Sequence, residues 1–117
     1  MLKLALVMSK EEGFGLAGKI PTIRNNPGDL RHSPHSSHEG IDPNAIGKID
    51  TLQHGWDDFD RQIKLDAGRG LTLRGFIMKF APPSENNSEG YLNYVCKGMG
   101  CTPETPLNHL LSEAESG

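Results

Sequence analysis

The stretch DTLQHGWDDFDRQIKLDAG, residues 50–68, decides the fold class of this chain. Its large apolar side chains recur at spacings of four, three and four residues: Leu52, Trp56, Phe59 and Ile63. Charged residues, Asp58 among them, occupy the opposite face, so the pattern predicts an α-helix with one buried stripe. Asp50, with Gln53 three residues later, is typical of a helix start. Glycines at 68 and 70 are typical of a helix end.

Apolar spacing predicts four further helices, within residues 1–12, 72–81, 86–99 and 105–111. Glycine ends the first of these, and a pair of prolines ends the second. From Gly13 to Ile49 the chain has little period of either kind and contains four prolines. That segment is predicted to be a long irregular loop. The expectation is a single all-α domain over residues 1–117, with about five short helices and a frayed tail at 112–117.

Composition and charge exclude several classes of protein. The 117 residues include 12 Lys and Arg against 15 Asp and Glu, a net charge of −3. Without a concentrated basic patch, binding to nucleic acid through phosphate neutralisation is not expected. The apolar run at residues 4–8 is too short for a signal peptide, and no stretch is long enough for membrane insertion. The chain is therefore expected to be made in the cytoplasm without a signal peptide.

One glycine motif resembles a dinucleotide-binding site. Gly13, Gly15 and Gly18 match the GxGxxG pattern, which binds dinucleotides only between a strand and a helix. A predicted helix precedes the motif here, and residues 19–27 are predicted not to open another. The glycines are therefore interpreted as backbone freedom at a helix end.

The histidines and cysteines are candidate metal ligands. His32, His35 and His38 lie three residues apart, but Pro34 and the serines between them provide no rigid frame for zinc. They are interpreted as a polar loop that lines a groove, and no metal or cofactor is predicted. Cysteines 96 and 101 enclose only four residues. Free thiols are favoured for them, and a local disulfide stays open.

Glu11 and Glu12 lie at the predicted carboxyl end of the first helix, where the helix dipole disfavours a carboxylate. That repulsion, together with partial burial, raises a carboxyl pKa. A raised pKa lets the group act as a general acid at neutral pH. Adjacent helical residues point about 100° apart, so at most one of the two faces a pocket. The alternative is that both are solvated charges at a helix end.

Two polar clusters provide candidate pocket residues. The segment RNNPGDL, residues 24–30, combines two amides, a carboxylate and a guanidinium, which is typical of sites that bind sugar hydroxyls and amides. The alternative is a structural turn whose asparagines bond to their own backbone. The segment APPSENNSEGY, residues 81–91, places Glu85 and Asn86 at a helix start, with Tyr91 one turn later. Helix capping explains an asparagine there but leaves Glu85 without a role.

Together these motifs resemble those of small phage and prophage peptidoglycan-degrading domains of the lysozyme-like superfamily, which are related to lytic transglycosylases. The matching pieces span nearly the whole chain: Glu12-Gly13, 24–30, Gly55-Trp56 through Leu65, 71–73 and 81–91. The resemblance implies a lysozyme-like, α-rich fold with Glu12 as the catalytic acid. It implies a glycan-binding cleft, for which the candidate residues are Asn25, Asn26, Asp29, Glu85, Asn86 and Tyr91. Many members of the family have Asn in place of Asp29, so Asp29 is expected to line the cleft rather than to catalyse.

The activity that the resemblance implies is cleavage of peptidoglycan glycan strands. Cleavage proceeds either by hydrolysis, as in a muramidase, or by attack of the sugar's own 6-hydroxyl, as in a lytic transglycosylase. Hydrolysis calls for a second group, for which Asp29, Glu39, Asp42 and Glu85 are candidates. The expected partners are glycan strands and other phage virion proteins. The protein is expected to reach the cell wall by a phage route, either carried in the virion or released through a membrane lesion.

Two other functions stay open. One is a non-catalytic virion, tail or cell-wall-binding module on the same scaffold. The other is a metal-dependent hydrolase that uses the three histidines.

Overall fold

The computed structural model of the chain describes residues 1–84 and 86–114, and within these ranges it is mostly helical. Its helices are α1 (Lys3–Glu11), α2 (Ile20–Ile23), α3 (Leu52–Gly68), α4 (Leu73–Phe80) and α5 (Ser88–Met99), followed by a 3₁₀ helix (Leu107–His109). Two short strands, β1 (Ser36–Ser37) and β2 (Lys48–Ile49), pair antiparallel with Ser36 opposite Ile49. The α-rich expectation is confirmed. None of the described helices combines the length and the apolar character that crossing a bilayer requires.

Helix α1 lies in the core. Leu4, Ala5 and Met8 have no exposed surface, and the helix packs against α5 and α3. The contact with α5 is close, because a Cβ added at Gly98 would lie 2.7 Å from the Val7 side chain. Packing along its length therefore fixes the carboxyl end of α1, where Glu12 is the C-cap residue.

Helix α3 follows the predicted stripe with three differences. Its N-cap is Thr51 rather than Asp50, because the Thr51 hydroxyl accepts the His54 N–H at 3.1 Å. Leu52, in the first turn, is 44% exposed, so the buried stripe begins one turn later, at Trp56. Asp58, expected on the solvent face, is only 2% exposed.

The burial of Asp58 has a clear cause in the preceding loop. Its carboxylate accepts hydrogen bonds from the Ser33 hydroxyl at 2.6 Å and the His35 backbone N–H at 2.9 Å, and it lies 2.6 Å from His35 Nδ1. Burial opposes ionisation, but these hydrogen bonds from Ser33 and His35 hold the pKa of Asp58 below its ordinary value. Asp58 therefore holds the loop that contains Ser33 and His35 against α3.

Helix α4 begins within one residue of its predicted start, and α5 begins within two. The Thr72 hydroxyl caps α4 by accepting the Gly75 N–H, and Asn87 caps α5 in the same way. Phe80 at the end of α4 stacks on Phe59 of α3 and meets the ring of Tyr91 edge-on. Aromatic side chains thus join three helices in one core.

The segment from 13 to 49 has more regular structure than expected. The prediction that residues 19–27 open no helix is wrong, because α2 forms there. Pro21 lies in its first turn, where the missing N–H of proline leaves no broken helical bond. The short β1–β2 sheet makes an all-α description too strict. The interpretation of the three glycines is confirmed, since Gly13, Gly15 and Gly18 have φ of 87°, 92° and 83°.

The histidines of this segment serve local contacts. The His35 ring stacks on His54 with centroids 3.8 Å apart, and the His32 ring lies 4.7 Å from that of His38. His38 Nε2 lies 2.9 Å from the Ala45 carbonyl oxygen. Within residues 1–84 and 86–114, no group of three or more side chains is placed to hold a metal ion.

The two cysteines lie together at the end of α5, and both are free thiols. Burial and the neighbouring Cys101 thiol raise the pKa of Cys96.

The expected frayed tail is wrong for residues 112–114. Lys3 N–H donates to the Ser112 carbonyl and Ala114 N–H donates to the Met1 carbonyl, each at 2.9 Å. Leu2 and Glu113 thereby form an antiparallel bridge. Sequence polarity suggested fraying, but the backbone of this segment finds its partners in the first residues of the chain. Residues 115–117 lie outside the described part.

Candidate active site

A cleft of about 580 Å³ lies between two walls of the molecule. One wall is the end of α1 with the residues near the 24–30 turn, and the other is the end of α4 with the connection to α5. The lining residues are Glu12, Asp29, Leu30, Arg31, Ile46, Lys79, Phe80, Pro82 and Asn86. The polar loop between α1 and α3 therefore lines the cleft together with the ends of helices α1 and α4.

Glu12 is the residue of the Glu11-Glu12 pair that faces this cleft. It is the C-cap residue of α1 and lines the cleft, and its backbone N–H still donates to the Met8 carbonyl at 3.1 Å, whereas Glu11 is exposed. Burial raises the pKa of Glu12 to about 7, and a hydrogen bond with Asp29 adds to the effect. A carboxyl group with this pKa is still largely protonated at slightly acidic pH, as a general acid must be.

Asp29 lies beside Glu12 at the tip of the 24–30 turn. The turn closes through an Asp29 N–H bond to the Asn26 carbonyl at 3.1 Å, and Asp29 has a φ of 53°. Asparagine and aspartate tolerate this left-handed region better than most residues. Burial raises the pKa of Asp29, although its hydrogen bond with Glu12 and the charge of Arg24 act in the opposite direction.

The two carboxyl groups are close enough for a proton on one of them to be shared with the other. Oδ1 of Asp29 is buried and has no hydrogen-bond donor among the described residues. Two ionised carboxylates are both acceptors only, so they cannot satisfy one another. A proton held on Glu12 supplies the missing donor and removes the repulsion between like charges. The pair therefore favours a protonated Glu12 in a partly buried site.

Tyr91 supports Glu12 from beneath rather than lining the cleft. Its side chain is only 5% exposed. Burial, together with the nearby Glu12 charge, raises the pKa of the Tyr91 phenol, so the hydroxyl stays protonated. It interacts with the Glu12 carboxyl and lies 3.5 Å from the Met8 carbonyl oxygen. As a donor it partly offsets the rise in the pKa of Glu12 and holds the carboxyl in place.

The two asparagines of the turn were expected in the cleft, and the structure corrects this. Asn26 is fully buried; its amide nitrogen donates to the carbonyls of Leu30 at 2.7 Å and Gly47 at 2.9 Å, and its oxygen accepts the Leu30 N–H. Asn25 donates to the Ile49 carbonyl at 3.2 Å. Neither is among the described residues that line the cleft. The alternative interpretation, a structural turn, is the correct one for both, because their amides satisfy the backbone of the loop.

The turn sits on α3 through two glycines. A Cβ added at Gly55 would lie 2.0 Å from the Asn25 carbonyl oxygen, and one at Gly28 would lie 2.8 Å from the Phe59 ring. These approaches leave no space for a larger side chain. Glycine at positions 28 and 55 therefore allows the turn to pack against α3.

The remaining predicted site residues differ in their position relative to the cleft. Asn86 is exposed and lines the cleft, with its amide nitrogen 3.3 Å from the Pro82 carbonyl oxygen. Glu85 lies outside the described residues. Glu39 and Asp42 are exposed and are not among the described lining residues.

Four lining residues were not anticipated from the sequence as part of the cleft: Arg31, Ile46, Lys79 and Phe80. Arg31 adjoins the polar turn, and Lys79 lies in the last turn of α4, which ends beside the double proline. Both signals are weak without knowledge of the tertiary contacts. Comparison of the chain with protein-family models, with curated proteins and with solved structures gave no match.

Proposed function

We propose that this protein cleaves the β-1,4 glycan strands of peptidoglycan, with Glu12 as the general acid. The observation that carries the proposal is a partly buried glutamate in an open cleft whose pKa burial raises to about 7. Protonation of the leaving oxygen by a carboxylic acid is the step that glycoside cleavage requires. The α-rich architecture is compatible with the lysozyme-like scaffold that we propose for the chain.

The Glu12–Asp29 contact bears on the mechanism. In glycosidases that use two carboxyl groups, these lie about 5–9.5 Å apart, with the reacting sugar or a water between them. Glu12 and Asp29 instead share a hydrogen bond, which leaves no room for a sugar ring between them. Asp29 therefore acts as a positioning residue that keeps Glu12 protonated.

This arrangement favours a mechanism with a single catalytic carboxyl group. Glu12 first donates its proton to the leaving glycosidic oxygen. As a carboxylate it then accepts the proton of the sugar's own 6-hydroxyl as that oxygen attacks the anomeric carbon. The product is an anhydro-sugar end, and the proton count balances without a water. Hydrolysis by the same acid would instead leave a reducing end, heavier by one water.

The test compares the wild-type protein with Glu12→Gln on purified cell-wall sacculi. Soluble muropeptides are expected from the wild type and a loss of at least about 100-fold from the variant, because removal of a general acid costs 10²–10⁴-fold. Glu11→Gln, which changes the exposed neighbour, is the matched control and is expected to retain activity. Equal release by wild type and Glu12→Gln would overturn the assignment.

The same experiment separates the alternative function. A non-catalytic cell-wall-binding module would pull down with sacculi and release nothing in either form. We further propose a phage route to the cell wall, with virion proteins as partners. A virion preparation that lacks this protein would contradict that route.

A further inference from the structure

The way in which α5 ends brings Cys96 and Cys101 together. Gly100 has a φ of 66°, the left-handed conformation that commonly ends a helix. The backbone N–H groups of Gly100 and Cys101 both donate to the Cys96 carbonyl, at 2.8 and 3.1 Å. The second bond, which reaches back over five residues, is typical of a Schellman helix end, where the side chains of these two positions frequently meet. The backbone therefore sets the two thiols side by side.

The two thiols are accessible as well as close. Both side chains pack partly against the hydrophobic core, and both keep some exposed surface. The Cys101 thiol lies close enough to Cys96 to affect its pKa by charge and by hydrogen bonding. A small oxidant can therefore reach the pair, and the sulfur atoms need only a short movement to meet.

The backbone is held on both sides of this turn. Helix α5 packs against α1 and α4 on one side. On the other side, the Thr102 N–H donates to the Thr105 hydroxyl at 3.2 Å, and the Pro103 carbonyl accepts the Arg74 N–H at 2.8 Å. A Cβ added at Gly100 would meet no described atom within 4 Å, so the turn itself is not crowded. A bond between the two sulfur atoms therefore calls for side-chain rotation rather than for a new backbone path.

The environment of Cys96 suits a durable crosslink rather than a catalytic one. Burial, followed by the neighbouring Cys101 thiol, raises the pKa of Cys96, and the charge of Arg74 acts in the opposite direction. Dithiols that exchange disulfides with a substrate have a lowered thiol pKa. A thiol with a raised pKa is a poor leaving group, so a disulfide that contains it resists reduction.

We propose that Cys96 and Cys101 form a disulfide when the protein meets an oxidising compartment, and that this crosslink stabilises the fold. The structure shows the reduced state. The oxidant is itself a disulfide, such as oxidised glutathione. One cysteine thiolate attacks a sulfur of the oxidant and releases its first thiol, and the other cysteine thiolate attacks the resulting mixed disulfide and releases the second. The oxidant is reduced to two thiols, which take up the two protons that the cysteines lose.

The test compares the purified protein after treatment with excess oxidised glutathione and after treatment with dithiothreitol. The oxidised sample is expected to lose two hydrogen atoms in intact mass, to have no free thiol and to remain monomeric on a non-reducing gel. Its Tm is expected to rise by about 5–10 °C, because even a short closed loop restricts the unfolded chain. Dithiothreitol is expected to reverse both changes.

Serine variants separate the crosslink from the packing of the thiols. Cys96→Ser and Cys101→Ser are each expected to take up one glutathione in place of the crosslink and to gain no stability from it. The double variant is expected to have the same Tm with and without oxidant. Comparison of all the variants with the wild type in dithiothreitol measures the cost of the serine itself, which is subtracted from the effect of oxidation.

A second measurement tests whether the helix end favours closure. At one fixed ratio of oxidised to reduced glutathione, the ratio of crosslinked to open protein is expected to be at least about 10-fold higher in the folded chain than in urea, since a crosslink that stabilises the fold must form more readily within it. Equal ratios would overturn the proposal. Glutathione adducts or linked dimers of the wild type would contradict the pairing, and a crosslinked protein without a higher Tm would contradict its stabilising role. No glycan enters these measurements, so their outcome is independent of the proposed cleavage.

Discussion

The burial that raises the pKa of Glu12 also makes the folded protein less stable at neutral pH than at acidic pH. Its pKa rises from an ordinary value of 4.5 to about 7 on folding, with burial as the largest cause. Between these two pH values the folded state binds more protons than the unfolded state, so the free energy of unfolding falls as the pH rises from about 4.5 to about 7. The loss is at most about 3 kcal/mol, because the carboxyl is partly exposed.

Replacement of Glu12 by glutamine is therefore expected to stabilise the protein at high pH. Glutamine resembles the protonated acid in shape, so Glu12→Gln is expected to match the wild type near pH 4 and to exceed it by roughly 1–3 kcal/mol near pH 8. Urea unfolding at the two pH values measures the difference. Glu11→Gln, at the exposed neighbour, serves as the control with no comparable gain. A variant no more stable than wild type at pH 8 would contradict the buried, protonated Glu12.

Asp29→Asn tests the positioning role of Asp29. Asparagine tolerates the positive φ at this position, so the turn is expected to remain intact. Loss of the carboxylate is expected to lower the pKa of Glu12, which still stays above its ordinary value because burial is the larger cause. The basic limb of the pH–activity profile therefore shifts to lower pH while cleavage persists. Glu39→Gln, an exposed carboxylate of the same loop, is the control, and an unshifted profile in Asp29→Asn would refute the shared proton.

At the scale of elements, the 24–30 turn packs closely against α3, and the tightest approach is at Gly55. The Asn25 carbonyl lies against Gly55, where a Cβ would be 2.0 Å away. Gly55→Ala is expected to displace the turn and to lower the free energy of unfolding by about 1–3 kcal/mol, as overpacking does. Cleavage is expected to fall as well, since Asp29 moves with the turn.

Gly68→Ala provides the matched comparison, because it makes the same change in the same helix. A Cβ at Gly68 meets nothing within 4 Å. Alanine has the better helix propensity, so this variant is expected to gain up to about 1 kcal/mol. Guanidinium unfolding of both variants, with activity on sacculi, measures the contrast. Equal stability of the two variants would show that the turn does not rest on Gly55.

Helix boundaries were predictable where residues within the helix itself carry the signal. The stripe from Trp56 to Ile63 and the cap at Thr72 follow from local period and side-chain chemistry. Asp58 and α2 were not predictable in this way. Asp58 is buried because Ser33 and His35, more than twenty residues away, supply its donors. Local periodicity cannot register partners at that separation.

At the scale of the whole molecule, the candidate site joins segments that are distant in the sequence. The helix-end argument pointed to the Glu11–Glu12 pair, because a carboxylate at the carboxyl end of a helix is energetically unusual, and only the family resemblance selected Glu12 from the two. The structural role of Asn25 and Asn26 was not predictable. An amide that binds a sugar and an amide that hydrogen-bonds to the backbone look the same in the sequence. Arg31 and Lys79 gave almost no sequence signal, because only the tertiary fold brings them to one cleft.

The first and last described residues are also held together, and this closure predicts a sharp dependence of stability on chain length. Deletion of residues 112–117 removes the two backbone bonds, Lys3 to Ser112 and Ala114 to Met1, that tie the start of α1. At about 0.5–1.5 kcal/mol each, their loss lowers stability by roughly 1–3 kcal/mol, or about 5–15 °C in Tm for a domain of this size. Deletion of residues 115–117 alone keeps both bonds and is expected to leave Tm unchanged. Thermal unfolding of both truncations followed by circular dichroism gives the comparison, and identical Tm values would show that residues 112–114 contribute nothing to the fold.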